Sequence, residues 1–89
     1  MQVDPQMAHD VVTRLRRVRG QIDGIIGMIE DERGCVDVVT QIAAASRALD
    51  RAGFKVVSNG LMQCMAAEDA GDEPEVSRAQ LEKLFLSLA

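Results

Sequence analysis

The stretch CVDVVTQIAAASRALDRAGFKVVSNGLMQCMAA, residues 35–67, decides the architecture. It contains no proline, and Cys35, Val38, Ile42, Ala45, Leu49, Ala52 and Val56 recur in steps of three and four, the spacing of one apolar helical stripe. The spacing predicts a single long helix, about 45–50 Å from end to end at 1.5 Å per residue. Upstream, Val11, Leu15, Val18, Ile22, Ile25 and Ile29 repeat in the same way and predict a helix over residues 7–31, broken by Arg33-Gly34. Gly20, Gly24 and Gly27 each weaken that helix by roughly 1 kcal/mol relative to Ala, so it is expected to survive by packing closely on a neighbour. Downstream, residues 69–74 form an acidic Gly/Pro linker, and residues 75–88 read as a short amphipathic helix. The expected fold class is all-α, with three helices in one domain over residues 1–89.

A chain of 89 residues leaves little room for a separate catalytic domain, and we expect neither an enzyme nor a cofactor. Hydrophobic residues make up 47 % of it, but two Phe and no Trp or Tyr leave the core to Val, Ile, Leu, Met and Ala. A core this thin seldom supplies more than about 3–5 kcal/mol, and self-association is the usual remedy, so an obligate oligomer is expected. No apolar run reaches the roughly 18 residues of a membrane span, and residues 1–5 lack the basic and apolar parts of a secretory signal. The expected location is the cytoplasm, with no membrane partner. The net charge of −4 argues at first against nucleic acid. Residues 1–65, however, carry eight basic and eight acidic side chains, and residues 66–89 carry two basic and six acidic ones, so the acidity belongs to the tail.

Two cysteines 29 positions apart are too few for a disulfide scaffold and lack zinc-ribbon or CxxC spacing. At about 100° per residue Cys35 and Cys64 point to the same face of the long helix, about 44 Å apart along it. A disulfide needs Cα atoms within about 7 Å, so they cannot meet inside one helix. An antiparallel pair of long helices, with a two-fold axis near Leu49 and Asp50, sets Cys35 of one chain beside Cys64 of the other, twice. Cys35 also lies in the first helical turn, where free N–H groups and the positive dipole end favour a negatively charged sulfur, and Arg33 is close in sequence. The functional reading is a reactive thiol with a resolving partner from the neighbouring subunit. The bland reading is two inert cysteines on a core face. Met62 and Met65 flank Cys64 and could offer thioethers to Cu(I), although gap-filling Met is commoner, and His9 stands alone near the N-terminus.

Arg47, Arg51 and Lys55 recur every four residues on a ridge roughly 160° from Cys35. On the first helix Arg14 and Arg17 flank one side of the apolar stripe, while Arg16 and Arg19 lie elsewhere on the polar face. The functional reading is a surface for DNA phosphates built from two helices and multiplied by symmetry. The alternative is a solvated face balanced by Asp23, Asp37 and Asp50, which leaves a structural helical oligomer without DNA binding.

Residues 14–51, RLRRVRGQIDGIIGMIEDERGCVDVVTQIAAASRALDR, continuing to Cys64, resemble the copper-sensing-repressor (CsoR-like) family, with RxRGQ and CxDVxxQI as its specific patterns. The resemblance implies an all-helical, disc-like dimer of dimers with antiparallel long helices. It also implies repression of a double-stranded DNA operator, released when an inducer reaches the intersubunit cysteines, and it points to Arg14 and Arg51 as DNA contacts. Copper sensors of this family normally carry a His four residues before the second Cys, where this chain has Gly60. They also carry a Tyr just before the first Cys and a Glu on the last helix, where this chain has Gly34 and Lys83. Formaldehyde sensors pair the first Cys with an N-terminal Pro, whereas four residues precede Pro5 here, and nickel and cobalt sensors need several His. QIAAASRAL and SNGLMQC are closer to the persulfide-sensing (CstR-like) branch. That resemblance implies a small persulfide or polysulfide inducer acting on Cys35 and Cys64, with no metal. The alternative is Cu(I) bound by Cys35, Cys64 and Met62 or Met65.

Overall fold

A computed structural model describes residues 3–89, and among these there are three helices and no strand. The first, α1, spans Pro5–Glu30. It starts earlier than the apolar period alone implies, because Pro5 stands at the first helical position, where its missing N–H is not needed. Asp4 caps it, its carboxylate accepting from the Gln6 and Met7 N–H groups at 3.0 and 3.4 Å. The stop lies before Arg33-Gly34. Glu32 takes a left-handed conformation with φ of 58°, the Arg33 N–H donates to the Met28 carbonyl at 2.9 Å, and the Glu32 N–H donates to Ile29 at 3.1 Å. This is a Schellman ending with glutamate where glycine is usual. Gly34 instead has an extended conformation and serves as the N-cap of the next helix without a side-chain bond.

That helix, α2, runs unbroken over Cys35–Asp69 and ends in the same motif, now with Gly71 at φ 77°. The two hydrogen bonds are Asp72 N–H to Ala67 at 2.8 Å and Gly71 N–H to Glu68 at 3.0 Å. The last helix, α3, spans Arg78–Leu88 and begins with a reciprocal capping box. Gln80 N–H donates to the Ser77 hydroxyl at 3.1 Å, and Ser77 N–H donates to Gln80 Oε1 at 2.9 Å.

Both α1 and α3 pack on α2 and not on each other. The α1–α2 pairing is antiparallel, with Asp4 opposite Asn59 and Asp10 opposite Lys55. Its buried seam is Val11, Val18 and Ile25 against Ala45 and Ala52, so small α2 residues receive branched α1 residues. At the other end Leu81 is buried, and the rings of Phe54 and Phe85 meet at 5.3 Å with a 57° tilt. Gly53 lets the end of α3 approach, since a Cβ there would lie 2.9 Å from the Leu88 methyl groups.

The first helix does pack on a neighbour, α2, but not through Gly20, Gly24 and Gly27: a Cβ at any of them would meet nothing within 4 Å in this chain. All three sit on the α1 surface that turns away from α2, so packing within the subunit does not explain them. The molecule is elongated, 58 × 24 × 12 Å, and a good share of its apolar surface stays uncovered. Val39, Ile42 and Leu49, on the Cys35 side of α2, are 55, 47 and 49 % exposed. No helix among the described residues is long and apolar enough to cross a membrane.

Candidate functional site

Two regions, one on the α1–α2 seam and one at the ends of α2, hold the residues singled out by chemistry. The first is basic. Arg14 and Arg17 of α1 and Arg51 of α2, with Gln21 and Ala48, line one shallow hollow on the α1–α2 seam. The antiparallel pairing brings these three guanidinium groups together from two helices. Arg17 and Arg51 have no ion-pair partner among the described residues, which leaves their donors for an anion. Arg47 is exposed one turn before Arg51 on the same helix. Lys55 is engaged differently, its ammonium lying 2.6 Å from Asp10, whose carboxylate also accepts from Arg14 Nε at 3.4 Å. Lys55 first, and then Arg14, hold the Asp10 carboxyl below the usual carboxylate range. Asp10 thus neutralises one end of the basic ridge and fixes the register of the two helices. Arg16 and Arg19 belong to another hollow with Val12 and Leu15.

The second region is the pair of thiols at the two ends of α2. Cys35 is exposed, at the first position of the helix. Arg33 turns to Asp37 at 3.5 Å, an exposed pair that draws its guanidinium charge toward the carboxylate. Cys64 is only 2 % exposed. It lines a small hollow of about 180 Å³ with Gly60, Gln63 and Ala67 of α2 and Glu75 and Val76 of the linker. Its Sγ donates to Glu68 Oε1 at 3.2 Å. Glu68 also receives Arg78, the first residue of α3, through Nε at 2.9 Å and a terminal nitrogen at 3.0 Å. Burial, and then the bond to Glu68, push the Cys64 thiol above the ordinary thiol range, while Arg78 holds the Glu68 carboxyl below the carboxylate range.

The two sulfurs lie on one continuous helix, so they stand about 44 Å apart along its axis and do not meet within a chain. Met62 and Met65 are 64 and 47 % exposed and leave the helix roughly 160° and 100° around from Cys64, so neither turns to its sulfur. Among the described residues no three His, Cys, Asp or Glu side chains gather as a metal site. His9 is exposed, and its backbone carbonyl accepts from the Thr13 hydroxyl.

Sequence reasoning missed four participants. Glu68 and Arg78 meet across a turn and a linker, with no periodic signal. Asp10 had a weak one, its i,i+4 spacing to Arg14. Asn59 is a buried amide whose Oδ1 accepts from the Asp4 N–H at 3.3 Å and from Gln63 at 2.9 Å, tying the start of α1 to α2 one turn before Gln63.

Residues 8–87 match the family described as metal-sensitive transcriptional repressor. The chain belongs to this family. It is 38 % identical over 69 residues to the copper-sensing transcriptional repressor RicR of Mycobacterium tuberculosis, covering 78 % of this chain and 72 % of that one. With the copper-sensing transcriptional repressor CsoR of the same organism it shares 42 % identity over 55 residues, or 62 % of this chain and 46 % of that longer protein. The crystal structure of the copper-sensing repressor CsoR with Cu(I) from Geobacillus thermodenitrificans NG80-2 superposes with a TM-score of 0.80 at 28 % identity, over 98 % of this chain and 91 % of that one. Membership of a repressor family places the chain among regulators and not among enzymes.

Proposed function

We propose that this member of the metal-sensitive repressor family is a cytoplasmic DNA-binding repressor whose inducer is a small persulfide or polysulfide. The sensing thiols in this reading are Cys35 of one copy and Cys64 of a second. Self-association is part of the proposal, because the exposed stripe of Val39, Ile42 and Leu49 runs along the side of α2 that carries Cys35. Antiparallel pairing over that stripe brings each Cys35 to a Cys64, and two such dimers make the tetramer that the family resemblance implies. The operator contacts are Arg14, Arg17 and Arg51 in their common hollow, with Arg47 and Lys55 as neighbours on the ridge.

The observation that carries the choice of inducer is the shared hollow of Gly60 and Cys64. One turn before Cys64, where a third ligand would reach the sulfur, glycine offers no donor, and both thioethers leave α2 in other directions. The residues around Cys64 in one chain therefore do not fit a three-ligand Cu(I) site. Thiol chemistry needs only two sulfurs. The Cys35 thiolate attacks the outer sulfur of a persulfide RSSH, forming Cys35–S–SH and releasing RSH. Cys64 of the second copy then attacks the Cys35 sulfur, closing a disulfide and releasing hydrogen sulfide. The cross-link ties two subunits and shifts the assembly from its DNA-binding shape.

The test is operator binding with glutathione persulfide, followed on a non-reducing gel. DNA release with a covalent dimer is expected for the parent. Cys64→Ala should be modified at Cys35 without a cross-link, and Cys35→Ala should not respond. Arg51→Ala should weaken operator binding and flatten its salt dependence, with about one counterion fewer released. A second reading, Cu(I) sensing through Cys35, Cys64 and Met62 or Met65, is favoured by the copper-sensing relatives. Release of DNA by stoichiometric Cu(I), with persulfide leaving the complex intact, would establish it in place of the sulfur reading.

A further inference from the structure

Among the side-chain clusters outside the basic hollow, one joins a sensing thiol to a separate helix. Glu68 accepts on both sides: Cys64 Sγ lies 3.2 Å from Oε1, and Arg78 grips both carboxylate oxygens at 2.9 and 3.0 Å. Cys64 and Glu68 are one turn apart on α2, so both face the same way, toward the linker. Arg78 opens α3, and its hold on Glu68 spans the acidic linker from residue 71 to residue 77. Cys64 is 2 % exposed beside the hollow under Glu75 and Val76, and its thiol is the donor that meets Glu68 from within α2. Other anchors of α3 are the buried Leu81 and the Phe54–Phe85 contact, both on its apolar side.

We propose that Cys64, Glu68 and Arg78 form a latch through which the chemical state of the Cys64 sulfur sets how firmly the first turns of α3 are held on α2. With hydrogen on sulfur, the thiol donates to Glu68 and keeps the carboxylate turned to Arg78. Any bond that replaces the S–H bond, to sulfur, carbon or metal, removes that donor and places a larger group between Cys64 and the linker. Glu68 then swings toward solvent, the two-point grip on Arg78 is lost, and the start of α3 loosens. The biological use of the latch rests on the reading of Cys64 as a sensing thiol; the latch itself is a property of the resting protein.

Amide hydrogen exchange of the full-length, reduced protein tests it without any inducer. The amides of residues 81–84 report the first bonded turn of α3, since Leu81 N–H donates to the Ser77 carbonyl at 3.0 Å. Cys64→Ala, which removes the donor and adds no bulk, is expected to speed their exchange about two- to fivefold, the reach of an exposed ion pair that loses its support. Cys64→Ser, which keeps a donor, should exchange as the parent does and shows that the site tolerates substitution. Arg78→Met should speed exchange by itself, and adding Cys64→Ala to Arg78→Met should have no further effect. A Cys64 that merely fills space would act equally in both backgrounds. Equal acceleration with and without Arg78, or none in Cys64→Ala, overturns the latch. A protein that ignores persulfide would remove the sulfur reading and leave these exchange results as they are.

Discussion

The two ends of α2 carry the same functional group in opposite settings. Cys35 stands at the bare end, exposed, beside an exposed Arg33–Asp37 pair and an uncovered apolar stripe. Cys64 stands at the covered end, beneath the linker, with its proton directed to a carboxylate that is itself committed to Arg78. Direction around the helix is nearly the same for both, so the difference comes from what the rest of the chain places opposite each. One helix thus presents a thiol open to attack and another held in reserve. That asymmetry suits a pair in which one sulfur reacts first and the other resolves.

The largest expected effect is on labelling. Under native conditions and with a limiting maleimide, Cys35, which must stay open to an inducer in the proposed pair as it is in the single chain, should be modified at least about tenfold faster than Cys64, because access governs thiol reaction as much as charge does. Peptide mapping by mass spectrometry measures the ratio, and similar rates would remove the contrast between the two ends. Leu81→Ala should collapse it. Truncating this buried side chain costs about 2–4 kcal/mol, read in urea unfolding, and frees α3 and the linker over Cys64. Labelling of Cys64 should then approach that of Cys35; an unchanged ratio would mean that α3 does not guard the thiol.

The pH dependence sharpens the comparison further. Glu68 has a lowered pKa, so its contribution to stability is present above the ordinary carboxylate range and is lost as pH falls through the lowered value. Cys64 has a raised pKa, so its contribution is intact below the ordinary thiol range and is lost as pH rises from there through the raised value. Urea midpoints across pH should therefore show a plateau with an acid limb that Arg78→Met flattens and an alkaline limb that Cys64→Ser flattens. The smallest effect belongs to the turn before Cys35. Glu32→Gly should stabilise by about 0.5–1 kcal/mol, since glycine accepts the left-handed conformation without steric cost. A lower midpoint in this variant would mean that the Glu32 side chain contributes to the turn.

Much of the fold was legible because helical periodicity is a local property. Steps of three and four from Val11 to Ile29 and from Cys35 to Val56 mark two helices, and the absence of proline in residues 35–67 predicts one continuous rod. Gly71, at the second helix end, is the usual residue for a left-handed ending, whereas the third helix begins at Arg78 and not at residue 75, because the Ser77–Gln80 capping box sets its start. The end of α1 near residue 31 was legible, but the residue that turns the chain there is Glu32 and not Arg33-Gly34, because a left-handed glutamate is one that no composition rule selects. The basic ridge was legible as a spacing. Its division into Arg14, Arg17 and Arg51 in one hollow, with Lys55 drawn to Asp10, was not.

The sequence by itself determined that the chain is helical, that Cys35 and Cys64 share a direction on one helix, and that they lie too far apart to join within it. These follow from rise and turn per residue, which every residue of a helix obeys whatever surrounds it. Only the tertiary structure decided which thiol is covered, which arginines converge and which carboxylate links Cys64 to α3. Those outcomes depend on segments far apart in sequence reaching the same place. A linker folded back over Cys64, and Arg78 meeting Glu68 ten residues away, are set by the packing of α3 on α2 through Leu81 and Phe85, and no spacing within a single helix encodes that.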